Sequence, residues 1–257
     1  FVAKEREGSL IDFSRQLAEA LAVDYLELRT ITPLDNSFIT KELYVTFRMP
    51  LAEGRDSIMS SIWRKQRTVI RKSFKQDLSH TFDESIADLY NVYAQSVRNL
   101  GTPVFSRKYF QTLKDVFGEK CEVLTVRNND GVAVSSVLSF YDKEEVFPYY
   151  GGGTLEARGL KSNDYMYYEL MCHAAMEKGC KKFDFGRSKI NTGSYVYKKH
   201  WKIEPELLNY QYYLVKAKEM PNLSPSNPKY NLLISVWQKL PLKVSQFLGP
   251  FLSKYLG

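Results

Sequence analysis

Three cysteines are spread over 257 residues, Cys121, Cys172 and Cys180, odd in number and without C-x-x-C spacing. That pattern supports neither a disulfide framework nor a zinc site, and it fits a reducing cytoplasm. Long apolar runs are also missing. The longest candidate, Val132 to Tyr141, has three serines inside it and falls well short of the roughly 18 to 20 apolar residues a membrane span needs. Phe1 to Gly8 is charged and has none of the apolar core of a signal peptide. From Met220 to Gly257 there is no Asp or Glu.

What is present is the composition of an ordinary folded chain: 44% hydrophobic, 25% charged, 14 Gly and 10 Pro. Disordered, collagenous and fibrous classes are thereby excluded. The length suits one large domain, or one and a part. Lys plus Arg number 36 against 29 Asp plus Glu, a net +7 that favours a polyanionic partner such as a nucleotide, tRNA or an anionic membrane surface.

Periodicity orders the elements. Ser9 to Ala22 reads as a helix, Asp24 to Leu28 as a strand, Ile31 to Thr40 as a loop and Leu43 to Met49 as a second strand stopped by Pro50. Asp56 to Gln76 reads as one basic amphipathic helix, with Arg64, Lys65, Arg67, Arg71, Lys72 and Lys75 around an apolar side. Helices follow at Asp83 to Asn99 and Arg107 to Phe117. Three antiparallel strands come next, Cys121 to Arg127, Val132 to Tyr141 and Glu145 to Tyr150, with Gly151-Gly152-Gly153 expected to turn and end the meander. A polar loop, a helix from Asp164 to Lys178 capped by Gly179, a strand from Lys181 to Phe185, a short helix at Tyr195 to Trp201 and a strand from Leu208 to Val215 complete the order. This is an α/β (α+β) arrangement with a mixed sheet. A faint repeat joins Val23-Asp24-Tyr25-Leu26-Glu27-Leu28-Arg29 to Lys181-Lys182-Phe183-Asp184-Phe185-Gly186-Arg187, each after a helix, and suggests two lobes of one kind.

The element order resembles the GNAT-type N-acyltransferase fold. Several runs are more specific: the basic helix Trp63-Arg64-Lys65-Gln66-Arg67-Thr68-Val69-Ile70-Arg71-Lys72-Ser73, then Phe183-Asp184-Phe185-Gly186-Arg187-Ser188, Gly193-Ser194-Tyr195 and Lys198-Lys199-His200-Trp201. With Leu223-Ser224-Pro225, Pro228-Lys229-Tyr230 and Leu248-Gly249-Pro250, they are similar to Fem-type peptidyl and aminoacyl transferases, in particular the FemAB-like proteins found with exopolysaccharide and PEP-CTERM sorting systems. The resemblance implies tandem GNAT-like lobes: the C-terminal remnant of a first lobe over residues 1–42, a complete lobe over 43–219, and a basic apolar tail over 220–257. The front of the first lobe is expected to precede Phe1.

In a site of that kind the acyl donor lies between two splayed parallel strands and its phosphates meet the N-terminus of the next helix, where unpaired amides attract anions. The corresponding places are Phe147 to Tyr150 and the loop Arg158-Gly159-Leu160-Lys161-Ser162-Asn163. The family pattern for coenzyme A has two closely following glycines; here Gly159 stands alone, which leaves aminoacyl-tRNA and acyl-coenzyme A both open as donor. Asp184 and Arg187 stand at and just past the end of a strand, where side chains reach the cleft. Arg187 is a candidate to bind donor or substrate, and Asp184 is the candidate for accepting a proton from the incoming amine or orienting it; a salt bridge of Asp184 to Arg187 or a lysine is the structural alternative. Tyr195, Lys198 and Lys199 are candidates to close over a phosphate or nucleotide sugar. Arg64, Arg67, Arg71 and Lys72 are candidates to track a polyanion, with a solvated face as the alternative. Glu169 reads as a surface residue and His173 as a core or surface histidine. No metal site and no resident cofactor are expected. The tail alternates Lys229, Lys239, Lys243 and Lys254 with large apolar residues, as in a segment that docks on an anionic membrane, or one that wraps its own domain.

The implied function is N-acyl or aminoacyl transfer to an amine of a cell-envelope or exopolysaccharide precursor, the acceptor being a small or lipid-linked amino sugar. The setting is the cytoplasm, or peripherally the inner face of the membrane. A non-catalytic binding or scaffold protein of an envelope-assembly system is the alternative.

Overall fold

The computed structural model describes residues 7–220 and 231–254. The runs Leu223-Ser224-Pro225 and Pro228-Lys229-Tyr230 lie outside the described residues. Among those described, nine strands share one sheet: β1 (Tyr25–Thr30), β2 (Ile39–Pro50), β3 (Ser79–Asp83), β4 (Cys121–Arg127), β5 (Ala133–Asp142), β6 (Glu145–Gly153), β7 (Lys182–Asp184), β8 (Ser188–Lys189) and β9 (Pro205–Leu214). Their order is β1-β9-β2-β7-β6-β5-β4-β3, with β8 attached to β2. Every pairing is antiparallel except that of β6 with β7. The mixed α/β class expected from the sequence is what forms. The position expected to divide the lobes, between residues 42 and 43, falls inside β2.

The helices are α1 (Glu7–Ala20), α2 (Arg55–Ser61), α3 (Arg64–Ser73), α4 (Ala87–Asn99), α5 (Arg107–Phe117), α6 (Ala157–Leu160), α7 (Ser162–Met176), α8 (Gly193–Lys199), α9 (Asn231–Lys239) and α10 (Leu242–Ser253). Alternation along the central strands feeds two cores. Leu124, Val126, Val137, Val146 and Phe183 pack with Met166, Leu170 and Met171 of α7 and with Ile58 and Ile70 of α2 and α3. On the opposite face Cys121, Val123 and Leu138 pack with Leu89, Val97 and Phe110 of α4 and α5. Cover on both faces is why β4 and β5 carry apolar residues at successive positions. α7 is buried on nearly every side, which is why its sequence has no clear polar face.

Four expectations change. The helix expected over Asp56 to Gln76 is two helices, because Ile62 and Trp63 are extended (ψ 142° and 141°). The break lets α2 bury Ile58 and Met59 while α3 separately turns Gln66, Ile70 and Ser73 inward. Ser79–Asp83 is an edge strand rather than linker and helix start, since Arg127 of β4 draws in Asp83 (3.2 Å) together with Asp88 (2.6 Å). Gly151-Gly152-Gly153 is not a turn: Ser135, Ser136 and Val137 pair with Gly153, Gly152 and Gly151, so the triplet ends β6. Glu169 is not on the surface. It is buried, and Arg55 grips it through two bonds of 2.9 and 2.6 Å.

His173 joins a second internal pair, its Nε2 lying 2.8 Å from Glu122 Oε2, with Lys178 on the other carboxylate oxygen. Burial pushes the Glu122 carboxyl up, but the bonds and charges of His173 and Lys178 outweigh it and hold the pKa at about 2, against an ordinary 4.5. A depressed carboxyl stabilises the fold above its unfolded pKa and ceases to as pH falls through the folded one. Glu122→Gln is therefore expected to cost about 2 kcal/mol at neutral pH, measured by urea denaturation. The gap to the wild type should close as the pH falls from 4.5 toward 2.

Candidate active site

The one parallel pairing governs the site. β6 and β7 are joined at Glu145–Lys182 and Val146–Phe183 and at no later register. Just beyond, the register of β5 with β6 slips: Ser139 faces Pro148 and Leu138 faces Tyr150, so Tyr149 is an extra, bulged residue. A bulge bends its strand and strengthens the local twist, and Pro148 has no N–H to give to a ladder. β6 thus leaves β7, and a cleft of about 460 Å³ opens at its end. Its walls are Gly151, Gly152 and Gly153, then Ser96, Asn99 and Leu100 at the end of α4, Arg158 on α6, Asn163, Met166 and Tyr167 on α7, and Tyr197 on α8.

Glycine is required where β6 meets the helices. A Cβ on Gly152 would come 2.5 Å from Ser96 Cβ and Oγ, and one on Gly153 would come 2.6 Å from Ala157 Cβ and 2.8 Å from Asn163 Oδ1. The glycines bring strand backbone and helix into direct contact around the cleft.

The loop before α7 is fixed by its own side chains. Lys161 takes a left-handed conformation (φ 59°) at the junction of α6 and α7, one a non-glycine residue adopts only when its surroundings enforce it. Its Nζ donates to the Arg158 carbonyl at 2.8 Å. Ser162 Oγ and Ser135 Oγ share a hydrogen bond of 2.5 Å, and Ser135 also donates to Asn163 Oδ1 at 2.8 Å. One turn inward, the buried Asp164 accepts from Gln66 Nε2 at 2.6 Å and from Tyr197 Oη at 3.0 Å. Burial raises the Asp164 pKa, partly offset by those two donors. Burial, then the adjoining Asp164 carboxyl, push the Tyr197 hydroxyl well above its ordinary range. Tyr197 therefore stays a neutral donor in the cleft wall at any physiological pH.

Arg158 and Asn163 line the cleft, with Lys161 and Ser162 fixing the turn beside them. Tyr150 points elsewhere: its hydroxyl meets that of Tyr109 at 2.7 Å, and its ring packs against Tyr93, Phe105 and Phe110. Asp184, Arg187, Tyr195, Lys198 and Lys199 gather beyond the end of β7. The buried Asp184 receives three donors: Thr46 Oγ1 at 2.6 Å, Arg48 Nε at 2.9 Å and the Gly186 amide at 2.7 Å. Its ion pair is with Arg48 of β2 rather than with Arg187. Arg187 instead lies over the Tyr44 ring at 4.7 Å and donates to Tyr210 Oη at 3.3 Å. Lys198 is buried, donating to the carbonyls of Gly186 (2.7 Å) and Arg187 (3.3 Å), and burial lowers its pKa to about 8. Tyr195 packs edge-on against Phe47, and Lys199 lies over the Tyr195 ring. On α3, Arg64, Arg71 and Lys72 are exposed, while Arg67 is half-buried, its Nε without a hydrogen-bond partner among the described residues. No group of three or more His, Cys, Asp or Glu able to hold a metal occurs among the described residues. No helix among them is long and apolar enough to cross a membrane.

Sequence reasoning gave no role to Tyr197, took Gln66 only as part of the basic helix and the glycine triplet as a turn, and took Asp164 only as a helix start. The available signal was three adjacent glycines closing a strand, followed after a short segment by a helix with an acid in its first turn.

A parallel strand pair that ends after two residue pairs, a cleft at the end of β6 and a helix N-terminus beside it form the layout expected of an acyltransferase. Residues 60–199, more than half of the sequence, match the model described as Acetyltransferase (GNAT) domain, and the chain belongs to that family of transferases. Among solved structures it is similar to FemX, at 15% identity and a TM-score of 0.64 over 90% of this chain and 79% of that one. It is also similar to the C-terminal domain of a protein from Agrobacterium fabrum described as a lysylphosphatidylglycerol synthetase, at 14% identity and a TM-score of 0.61 over 82% and 74%. At these identities the likeness is one of fold. No curated protein matches the sequence.

Gly152→Ala is expected to cost about 2 kcal/mol by forcing α4 off β6, read as a lower midpoint of denaturation. Ser96→Gly in the same chain removes the opposing atoms and should restore part of the loss.

Proposed function

We propose that the chain is an N-acyl or aminoacyl transferase that moves an acyl group from aminoacyl-tRNA or acyl-coenzyme A to an amine of a cell-envelope or exopolysaccharide precursor. The acceptor is a small or lipid-linked amino sugar, and the setting is the cytoplasm or the inner face of the membrane, in a system of the PEP-CTERM kind. The observation that carries the chemistry is the opening of β6 from β7 into a cleft floored by the first turn of α7. Strand amides freed from the ladder are donors for a developing oxyanion, held in place before the reaction starts.

In this reading the neutral amine attacks the donor carbonyl, a C–N bond forms, and the C–O or C–S bond to the carrier breaks. The amine proton passes to water in the cleft, and the carrier takes a proton as it leaves. Tyr197 is our candidate to hydrogen-bond that leaving atom, its hydroxyl turning from Asp164 Oδ1 to do so while Gln66 stays on the carboxylate, and the leaving atom takes its proton from water in the cleft. With three donors already on it, Asp184 serves as a positioning residue that ties β2 to the 184–187 turn. Arg158 and Lys161 add charge for a phosphate at the mouth, and Arg64, Arg71 and Lys72 offer an exposed basic face to a tRNA backbone. Strand β1 and the front of β2, which extend the sheet through β9, are assigned to the remnant of a preceding lobe over residues 1–42.

Tyr197→Phe keeps the ring and should lower kcat about a hundredfold with little change in KM; an unaltered kcat removes the hydroxyl from the chemistry. Asp184→Asn should lose about 2 kcal/mol of stability by weakening the bonds from Thr46, Arg48 and the Gly186 amide, Arg48 keeping Glu206 at 3.3 Å, while the pH profile of kcat keeps its shape. Disappearance of a limb of that profile would make Asp184 the base after all. Native mass spectrometry with coenzyme A thioesters and charged tRNA offered together names the donor by the mass retained, and retention of neither at low salt argues against transfer.

A further inference from the structure

The two tail helices are built with their large residues outward. On α10 the buried positions are Ser245, Gly249 and Ser253, four apart on one side. A Cβ on Gly249 would come 2.7 Å from the Val104 carbonyl oxygen, so this side sits flush on the domain. The opposite side carries Val244, Phe247, Leu248, Phe251 and Leu252, all exposed, Phe247 by 70% and Phe251 by 58%. On α9, Trp237 turns inward and donates from Nε1 to the Thr102 carbonyl at 3.1 Å. Leu232, Leu233 and Val236 face out, Leu232 by 76%. A helix packed on a water-soluble domain ordinarily shows the reverse distribution.

The placement of these helices is specific. Arg98 Nη1 donates to the Leu240 carbonyl at 3.2 Å, Gln238 Nε2 to the Asn99 carbonyl at 3.1 Å, and Gln246 Nε2 to Asn91 Oδ1 at 3.3 Å. All three partners belong to α4 or to the link between α9 and α10. The outward face is therefore held in position and is not a wandering terminus.

Charge identifies the occupant. Lys239, Lys243 and Lys254 are exposed and form no ion pair among the described residues, and the sequence from Met220 onward contains no acid. A second copy of this face would set lysine against lysine with no carboxylate to pair. An anionic bilayer interface meets both needs, taking the apolar side chains into its acyl boundary and the lysines at its headgroups. Location adds to this: Asn99, whose carbonyl holds α9, also lines the cleft, and the cleft rim carries Leu100 and Leu155, 72% and 76% exposed.

We propose that α9 and α10 form a docking surface for an anionic lipid bilayer, and that docking sets the mouth of the cleft at the headgroup layer, facing an amine borne by a lipid. The first half is independent of the activity; the second rests on the acyl-transfer reading.

The test is co-sedimentation of the full chain with vesicles of phosphatidylcholine alone or with phosphatidylglycerol. Binding should require the anionic lipid and weaken with salt. Phe247→Glu with Phe251→Glu should lower partitioning by more than about tenfold, with an unchanged circular dichroism spectrum. Replacing Lys239, Lys243 and Lys254 by Gln should cost roughly fivefold for each lysine. Absence of binding to phosphatidylglycerol vesicles at low salt, or binding indifferent to the two phenylalanines, overturns the proposal. So does a stable dimer that Phe247→Glu splits without any vesicle binding, which would give the face to a second copy. The two halves separate by activity: the phenylalanine pair should impair transfer to a membrane-borne amine and spare transfer to a water-soluble one. Vesicle binding without any acyl transfer would end the enzymatic reading and leave the docking surface standing.

Discussion

Two residue pairs between β6 and β7 decide the architecture of this molecule. Parallel strands that continued in register would bury their amides in a ladder and leave only a packed sheet. Here the bulge at Tyr149 and the missing N–H of Pro148 turn β6 aside immediately after Val146, and polar backbone is left facing a cavity. Such groups are costly when buried without partners, so the gap persists only as a place that water or a ligand fills. The surrounding elements are arranged to keep it open. α7 runs beneath it, α4 braces one wall through Ser96, and α8 closes the other through Tyr197.

Around this opening the charged side chains form separate pairs and small networks. Asp164 holds Gln66 and Tyr197 in the cleft wall, while Asp184 holds Thr46, Arg48 and the Gly186 amide on β2 and the following turn. Glu169 with Arg55, and Glu122 with His173 and Lys178, brace the far length of α7. Buried pairs of this kind contribute little net energy compared with apolar packing, but removing one member is expensive. Their effect is to set α7 in one orientation, so that its first turn meets the end of β6.

Much of this was legible in the sequence and some was not. The strand meander from Cys121 and the helix leading to Gly179 were readable because alternation and capping are local signals. The break at Ile62 and Trp63 was not, since no glycine or proline marks it and the cause is packing of α2 and α3 separately against α7. The glycine triplet misled for a related reason: glycine commonly marks turns, yet Gly152 is demanded by Ser96, some fifty positions earlier in the chain. Arg158 and Asn163 were recoverable from their loop, whereas Asp184 attracted notice as an acid at a strand end and proves to be tied to Arg48, a partner that spacing could not disclose.

The contact between Gly152 and Ser96 also bears on the shape of the cleft. Backbone already touches helix there, so that wall has no slack, and the floor is locked through Ser135, Ser162 and Asn163. The remaining side is α8, fastened by Lys198 to two carbonyls, by Tyr197 to Asp164 and by Tyr195 against Phe47. The width of the opening is therefore fixed by packing within the fold itself, before anything enters it.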